Sequence, residues 1–411
     1  MKKLKTIFSP RKLIVWIFLI ILIITIPEIT KPAMSKTEAI ITMMSIDKID
    51  DQIKISTAVI TPSTEKTTNY EVYSGVGATV GEAVENVSLS LGKSMGFAQC
   101  EIMAFGENLS TDGIMSSLDF MTRTRRVGRN AILINFSGDV EEFQQAIVNL
   151  NIEKSIPLED VINFDKRYIP SADSNIHSFY KGYFSKISIG IMPKVQLLKE
   201  KANNTIEIEG GSTGGGNSNE PGSGSGQQNN KKYILNDGTV CVFKSGRKLL
   251  ELTPEQMQKL NLITNVEQEG TLKVENINDE FYKNSNVVLN IHDKKLNFKP
   301  EFKNGKPIFN INIELAVLVE EVDEENPNKS FLKRNKEFLT DELVKKTKET
   351  VKNKTKEIID FCKENEVDLI GVYENFYRKE YKEFEKYYEK TQEKYLDDVE
   401  FNINVKVSSS Y

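Results

Sequence analysis

The stretch at residues 210–230, GGSTGGGNSNEPGSGSGQQNN, constrains the fold more than any other part of the chain. It holds eight of the 24 glycines and no large apolar side chain. Such a segment cannot bury enough surface to offset the entropy lost on ordering. It predicts a flexible linker over residues 209–231, with a root-mean-square reach of about 25 Å. The linker divides the 411 residues near their midpoint, and each half is long enough to bury its own core. A nucleotide-binding reading of the stretch fails, because neither a strand–loop–helix frame nor a P-loop lysine follows it.

Before the linker, residues 34–208 read as one α/β domain. Residues 53–60 are β-rich, between the turn-prone Asp50-Asp51 and Thr61-Pro62. Thr79 and Glu82 form a capping box, followed at helical spacing by Ala83, Val84, Val87 and Leu91, with Gly92 as the stop. Residues 97–105 predict a buried strand, 112–121 a helix, 131–136 a strand and 140–148 a helix. Strand–helix alternation of this kind favours a sheet covered by helices.

After the linker, residues 232–411 predict two subdomains, about 232–305 and 306–411. A hairpin is expected around Ser245-Gly246, and Thr253-Pro254-Glu255 opens a helix. Strands follow at 287–291 and 296–302. From Phe309 to Val319, every second residue is apolar. Thr340 caps a long helix with the stripe Val344, Thr347, Val351, Thr355, Ile358 and Cys362, and a Tyr-rich helical stretch covers about 372–395. Alternation from Val399 to Val407 closes the chain as a half-buried strand. The fold class expected is mixed, α+β or α/β: two to three domains of mixed sheet with packed helices, behind an N-terminal membrane anchor.

That anchor is read from the first 27 residues. Lys2, Lys3, Lys5, Arg11 and Lys12 precede residues 13–26, which are apolar except for Thr25 and stop at Pro27-Glu28. Leu13, Ile14, Trp16, Phe18, Ile21, Ile24 and Ile26 are the anchoring side chains. The run is shorter than the roughly 20 residues that span a bilayer and close to a signal-peptide core. Residues 27–29 extend it, and Trp16 suits the interface. Two readings stand, an uncleaved signal-anchor over 13–27 and a cleaved secretory signal, for which Pro32-Ala33-Met34-Ser35 is a poor cleavage site. In both, the basic tail 1–12 stays in the cytoplasm and the rest of the chain is exported.

The balance of 54 Lys+Arg against 59 Asp+Glu, a net charge of −5, argues against a nucleic-acid binder. Two isolated histidines, His177 and His292, leave little room for a His-ligated metal or a histidine base. Cys100, Cys241 and Cys362 are odd in number, lack a CxxC pair and read as small buried hydrophobes. The sequence from Gly75 to Gly81 has spacing G-x-G-x-x-x-G, which departs from the dinucleotide fingerprint. Carboxylates mostly sit beside lysines on polar helix faces. No catalytic residue, metal ligand or cofactor site is therefore assigned. One sharp basic cluster remains: Arg123, Arg125, Arg126 and Arg129, four guanidiniums within seven residues. It suits phosphate, anionic lipid or an acidic partner surface; the alternative is a solvated connection between a helix and a strand.

Several segments, taken in order, resemble one family: the Ger(x)C type C subunit of GerA-class spore germinant receptors. They are residues 41–59, Gly77-Ala78-Thr79-Val80-Gly81-Glu82-Ala83, residues 96–105, Gly106-Glu107-Asn108-Leu109, Gly113-Ile114 and Leu118-Asp119-Phe120-Met121-Thr122-Arg123. After the linker come Gly238-Thr239-Val240-Cys241-Val242-Phe243 through Leu252, then the closing helix–Asp368–Gly371–helix–strand series. The resemblance implies three α/β domains outside the membrane and no catalysis. It also implies partners in the spore inner membrane: a multi-pass A subunit and a transporter-like B subunit. Contact with a small-molecule germinant is left open. Family members usually carry a lipobox cysteine just after the signal; here the first cysteine is Cys100, so anchoring falls to residues 13–26. The competing reading is an unrelated surface-anchored ligand-binding protein; an exported hydrolase lacks a visible site.

Overall fold

The computed structural model describes residues 38–61, 69–154, 174–200, 206–208, 232–235, 237–264, 270–323 and 339–409. The anchoring residues Leu13, Ile14, Trp16, Phe18, Ile21, Ile24 and Ile26, and the linker 209–231, lie outside these. Among the described residues no helix is long and apolar enough to cross a membrane.

The first half begins with β1 (Glu38–Ile49) and β2 (Gln52–Thr61), antiparallel around Asp50-Asp51 as expected, and β3 (Asn69–Gly77). α1 (Val80–Leu91) follows, with the Glu82 amide donating to the Thr79 hydroxyl at 3.2 Å and Gly92 as C-cap. Next come β4 (Ser94–Gly96), β5 (Ile102–Gly106), α2 (Glu107–Asp112), α3 (Met115–Arg123), β6 (Ile132–Ser137), α4 (Val140–Lys154), α5 (Ile176–Tyr183) and β7 (Ile189–Glu200). β1, β5, β6 and β7 run parallel, so they all start at one end of the sheet. α4 covers one face through Phe143 and Ile147, with Phe143 stacked on Phe136 at 4.3 Å. α1, α3 and α5 cover the other with Val84, Leu118, Met121 and Phe179.

The strands on either side of the linker, β8 (Ile206–Ile208) before it and β9 (Lys232–Leu235) after it, pair with β7, so past the linker the chain first completes this same sheet. The hairpin β10 (Val240–Lys244) and β11 (Arg247–Leu252) adds to the edge of β7, giving the order β11-β10-β7-β6-β5-β1-β2-β3. Residues 240–252 therefore share a sheet with the first half. Alternation along β10 gives Cys241 and Phe243 to the first core and Val240 and Val242 to the second.

The second sheet has the order β12 (Gly270–Ile277), β13 (Ser285–Lys303), β14 (Lys306–Asp323), β15 (Glu400–Ser409), reached through α6 (Pro254–Asn261). β14 and β15 are parallel; the other pairs are antiparallel. The turn near residue 305, where the sequence reading put a subdomain break, joins β13 and β14 within this sheet. α7 (Asp341–Glu364), α8 (Val372–Lys379), α9 (Tyr381–Thr391) and a 3-10 turn (Gln392–Leu396) pack on its inner face. The fold is mixed α/β with two sheets.

Four local expectations change. Residues 97–101 turn before β5, with the Cys100 amide donating to the Phe97 carbonyl at 3.0 Å. The helix expected at 112–121 starts at Met115 and runs to Arg123, because Gly113 at φ 126 breaks the chain between it and the short helix Glu107–Asp112 before it. The two strands expected at 287–302 are one 19-residue strand, whose alternation is broken by a bulge at His292, between Ile291 and Asp293. On α7 the stripe is buried as read, except that Leu343 and not Val344 opens it.

Candidate functional site

The arginine cluster belongs to the end of the first sheet at which β1, β5 and β6 start. α3 carries it there, and the loop 124–131 delivers it to the first residue of β6. The Arg129 carbonyl accepts from the His177 amide at 3.0 Å and Ala131 from Ile176 at 3.0 Å, which fixes the loop against the start of α5. Farther along, Thr122 and Tyr180 share a hydroxyl hydrogen bond of 3.0 Å. Arg123 pairs with Asp119 at 2.8 Å, and Arg125 lies 5.6 Å above the Phe120 ring. Arg126 and Arg129 are exposed without an ion pair among the described residues. Of the four arginines, Arg123, Arg126 and Arg129 are exposed and Arg125 is half-buried over Phe120.

Periodicity left the exposed side of α5 unremarked. His177, Lys181 and Phe184 point outward, and Phe184 is 76% exposed while Tyr180 and Tyr183 pack around it at 5.7 and 5.1 Å. Apart from Leu89, 78% exposed in the last turn of α1, no large apolar side chain among the described residues is so open.

At the opposite end, α2 meets the β10–β11 hairpin in a four-membered charge network. Lys194 contacts Glu251 at 2.7 Å and Glu107 at 3.1 Å; Lys248 contacts Glu251 at 2.7 Å and also Glu107. Burial pushes the Glu251 carboxyl up, but Lys194 and Lys248 more than offset that and hold it below the usual carboxylate range. Nearby Asp47 is buried, and desolvation raises its pKa despite an amide bond from Leu109 at 2.8 Å.

Between the cores, a cavity of about 310 Å³ is lined by Phe179, Ile189 and Ile191 on one side and Met257, Leu260 and Ile370 on the other. Asp368 stands at its rim as the anchor of α8. Its carboxylate accepts amide hydrogen bonds from Gly371 at 2.8 Å, Val372 at 3.0 Å and Tyr373 at 2.7 Å, and a 2.7 Å bond from the Tyr395 hydroxyl. Those oxygens are committed to structure.

Chemically these places offer binding surfaces. Burial pushes the thiols of Cys100, Cys241 and Cys362 up to about 12, so no thiolate forms near neutrality. His177 and His292 sit on different sheets' elements, α5 and β13. No group of three or more His, Cys, Asp or Glu among the described residues could hold a metal ion.

Two family models match in tandem. Residues 36–197 match the spore germination protein N-terminal domain, and residues 238–409 match the spore germination B3/GerAC-like C-terminal domain. No curated protein matches. Among solved structures, the crystal structure of the GerBC protein aligns with a TM-score of 0.49 at 15% identity, over 90% of this chain and 97% of that one. With both family domains present in order and covering most of its length, the chain belongs to the GerAC family of spore germination proteins, the C-type subunits of germinant receptors.

Proposed function

We propose that this protein is the membrane-tethered, non-enzymatic C subunit of a nutrient germinant receptor, with its body on the extracytoplasmic side of the spore inner membrane. The tandem family match over residues 36–197 and 238–409 carries this reading. The basic tail followed by the apolar run at residues 13–26 supports the tether and its direction. The committed or buried state of Asp368 and the three cysteines supports a role in assembly over one in turnover. Its partners in this reading are the A-type and B-type integral-membrane subunits. The family match sets aside the alternative of an unrelated surface-anchored ligand-binding protein.

Deletion of the gene tests the proposal. In a strain without a redundant receptor, spores should lose their response to at least one nutrient. An unchanged response to every nutrient tested contradicts it.

A further inference from the structure

The first sheet is electrically and chemically two-ended. Where its parallel strands finish, acidic side chains gather: Asp50 and Asp51 in the β1–β2 turn, Asp112 at the end of α2, and Asp139, Glu141 and Glu142 at the start of α4. Lys48 and Lys54 there are already engaged, by Asp112 and by Asp139. Where the strands start, the exposed charge among the described residues is mainly basic: Arg123, Arg126, Arg129, Lys181 and, after α1, Lys93, with Arg125 half-buried over Phe120. Among the described residues Glu38, Glu71, Glu101 and Asp119 are the acids toward that end; Asp119 is occupied by Arg123, and Glu71 accepts from the Tyr73 hydroxyl at 2.6 Å. Of the two most exposed large apolar side chains, Leu89 lies in the last turn of α1, which ends here, while Phe184 follows the last turn of α5, which starts here, and stacks on Tyr180, itself bonded to Thr122.

The same end receives the chain from residues 1–37. Glu38 opens β1 and pairs with Ser94, while Thr42, Glu101 and Ile132 line up across β1, β5 and β6 through backbone hydrogen bonds of 2.8 and 2.7 Å. Residues 28–37 connect Glu38 to the apolar run, and ten residues reach at most about 35 Å. A tether that short holds this end of the body near the bilayer.

We propose that the strand-start end of the first domain is a peripheral membrane contact for anionic lipid headgroups, with the arginines and Lys181 meeting phosphates and Phe184 and Leu89 entering the interface. Basic residues close to an anionic surface attract it individually and additively, and exposed aromatic and aliphatic side chains add apolar area. The acidic far end is repelled by the same surface, so the contact fixes which way the body faces. This orientation rests on the tethered reading above.

The test uses the full chain reconstituted into vesicles of phosphatidylcholine alone or mixed with phosphatidylglycerol. The three native thiols are buried, so an environment-sensitive fluorophore goes selectively onto one introduced cysteine: Phe184→Cys, Leu89→Cys or, at the far end, Asp51→Cys. The first two probes should enter an apolar environment and be quenched from the lipid phase in the mixed vesicles. The Asp51→Cys probe should stay in water. Each arginine reversed among Arg125, Arg126 and Arg129 should weaken the contact at least about fivefold, and molar salt should abolish it. Co-sedimentation with vesicles combined with a water-exposed probe at 184 overturns the contact and leaves the tether intact. A probe shielded only after spore-membrane proteins are added gives the surface to a protein partner and also overturns it. Failure to co-sediment with either vesicle refutes tether and contact together.

Discussion

Single residues decide how the helices are held, and Asp368 is the clearest case. A carboxylate three positions before Gly371 satisfies amides that the start of α8 leaves without partners, and it also fixes the Tyr395 hydroxyl. Gly371 sits at φ 80, which suits a residue without a side chain. Asp368→Ala should therefore lower stability by about 3 kcal/mol, since it leaves buried amides and a buried hydroxyl unsatisfied. Denaturant titration checks this, and a loss below about 1 kcal/mol contradicts it. The Glu251 network makes a pH prediction. A carboxyl held below its unfolded pKa contributes stability that is present above the ordinary value of about 4.5 and lost as pH falls through the folded value. Glu251→Gln should cost about 1 kcal/mol at pH 7, discounted for the partial exposure of Glu251, and close to nothing at pH 3. Lys194 and Lys248 are raised, burial opposing and the carboxylates prevailing, so their share persists below about 10.5 and disappears as pH rises through the folded values. An equal cost for Glu251→Gln at both pH values contradicts the network's role.

Among the elements, the β10–β11 hairpin joins the two cores: Cys241 and Phe243 pack on one side of β10, Val240 and Val242 on the other. Val242→Ala should cost roughly 2 kcal/mol and weaken both sheets together. Hydrogen exchange in denaturant checks this, with β5–β6 and β13–β14 expected to lose protection at one midpoint; two separated midpoints contradict it. The hairpin's turn chemistry and its alternation were legible in the sequence, but its destination was not. A flexible linker marks a break in the chain and does not say which sheet the next strand joins, which is decided by a pairing with β7 across more than forty residues. Caps at Thr79, Thr253 and Thr340 were legible because capping is local. Apolar runs misled where composition hides a turn, as at residues 97–101, or where a bulge interrupts alternation, as at His292-Asp293. The arginine cluster was visible as charge density, whereas Phe184 and Leu89 were not, since an exposed apolar residue on a short helix reads in sequence like a core one.

For the whole molecule, two cores share one strand, and the first sheet carries acids at one end and bases with exposed apolar groups at the other. Such a body suits an assembly that lies on a bilayer and passes a signal between neighbours. The proposed function turns on those neighbours, the integral-membrane subunits. The most direct measurement is affinity purification of the tagged full chain from gently solubilised spore membranes, with the recovered proteins identified by mass. The account predicts two integral-membrane companions, one multi-pass and one transporter-like, in comparable amounts. Recovery of the chain alone, under conditions that keep other membrane complexes intact, would contradict it.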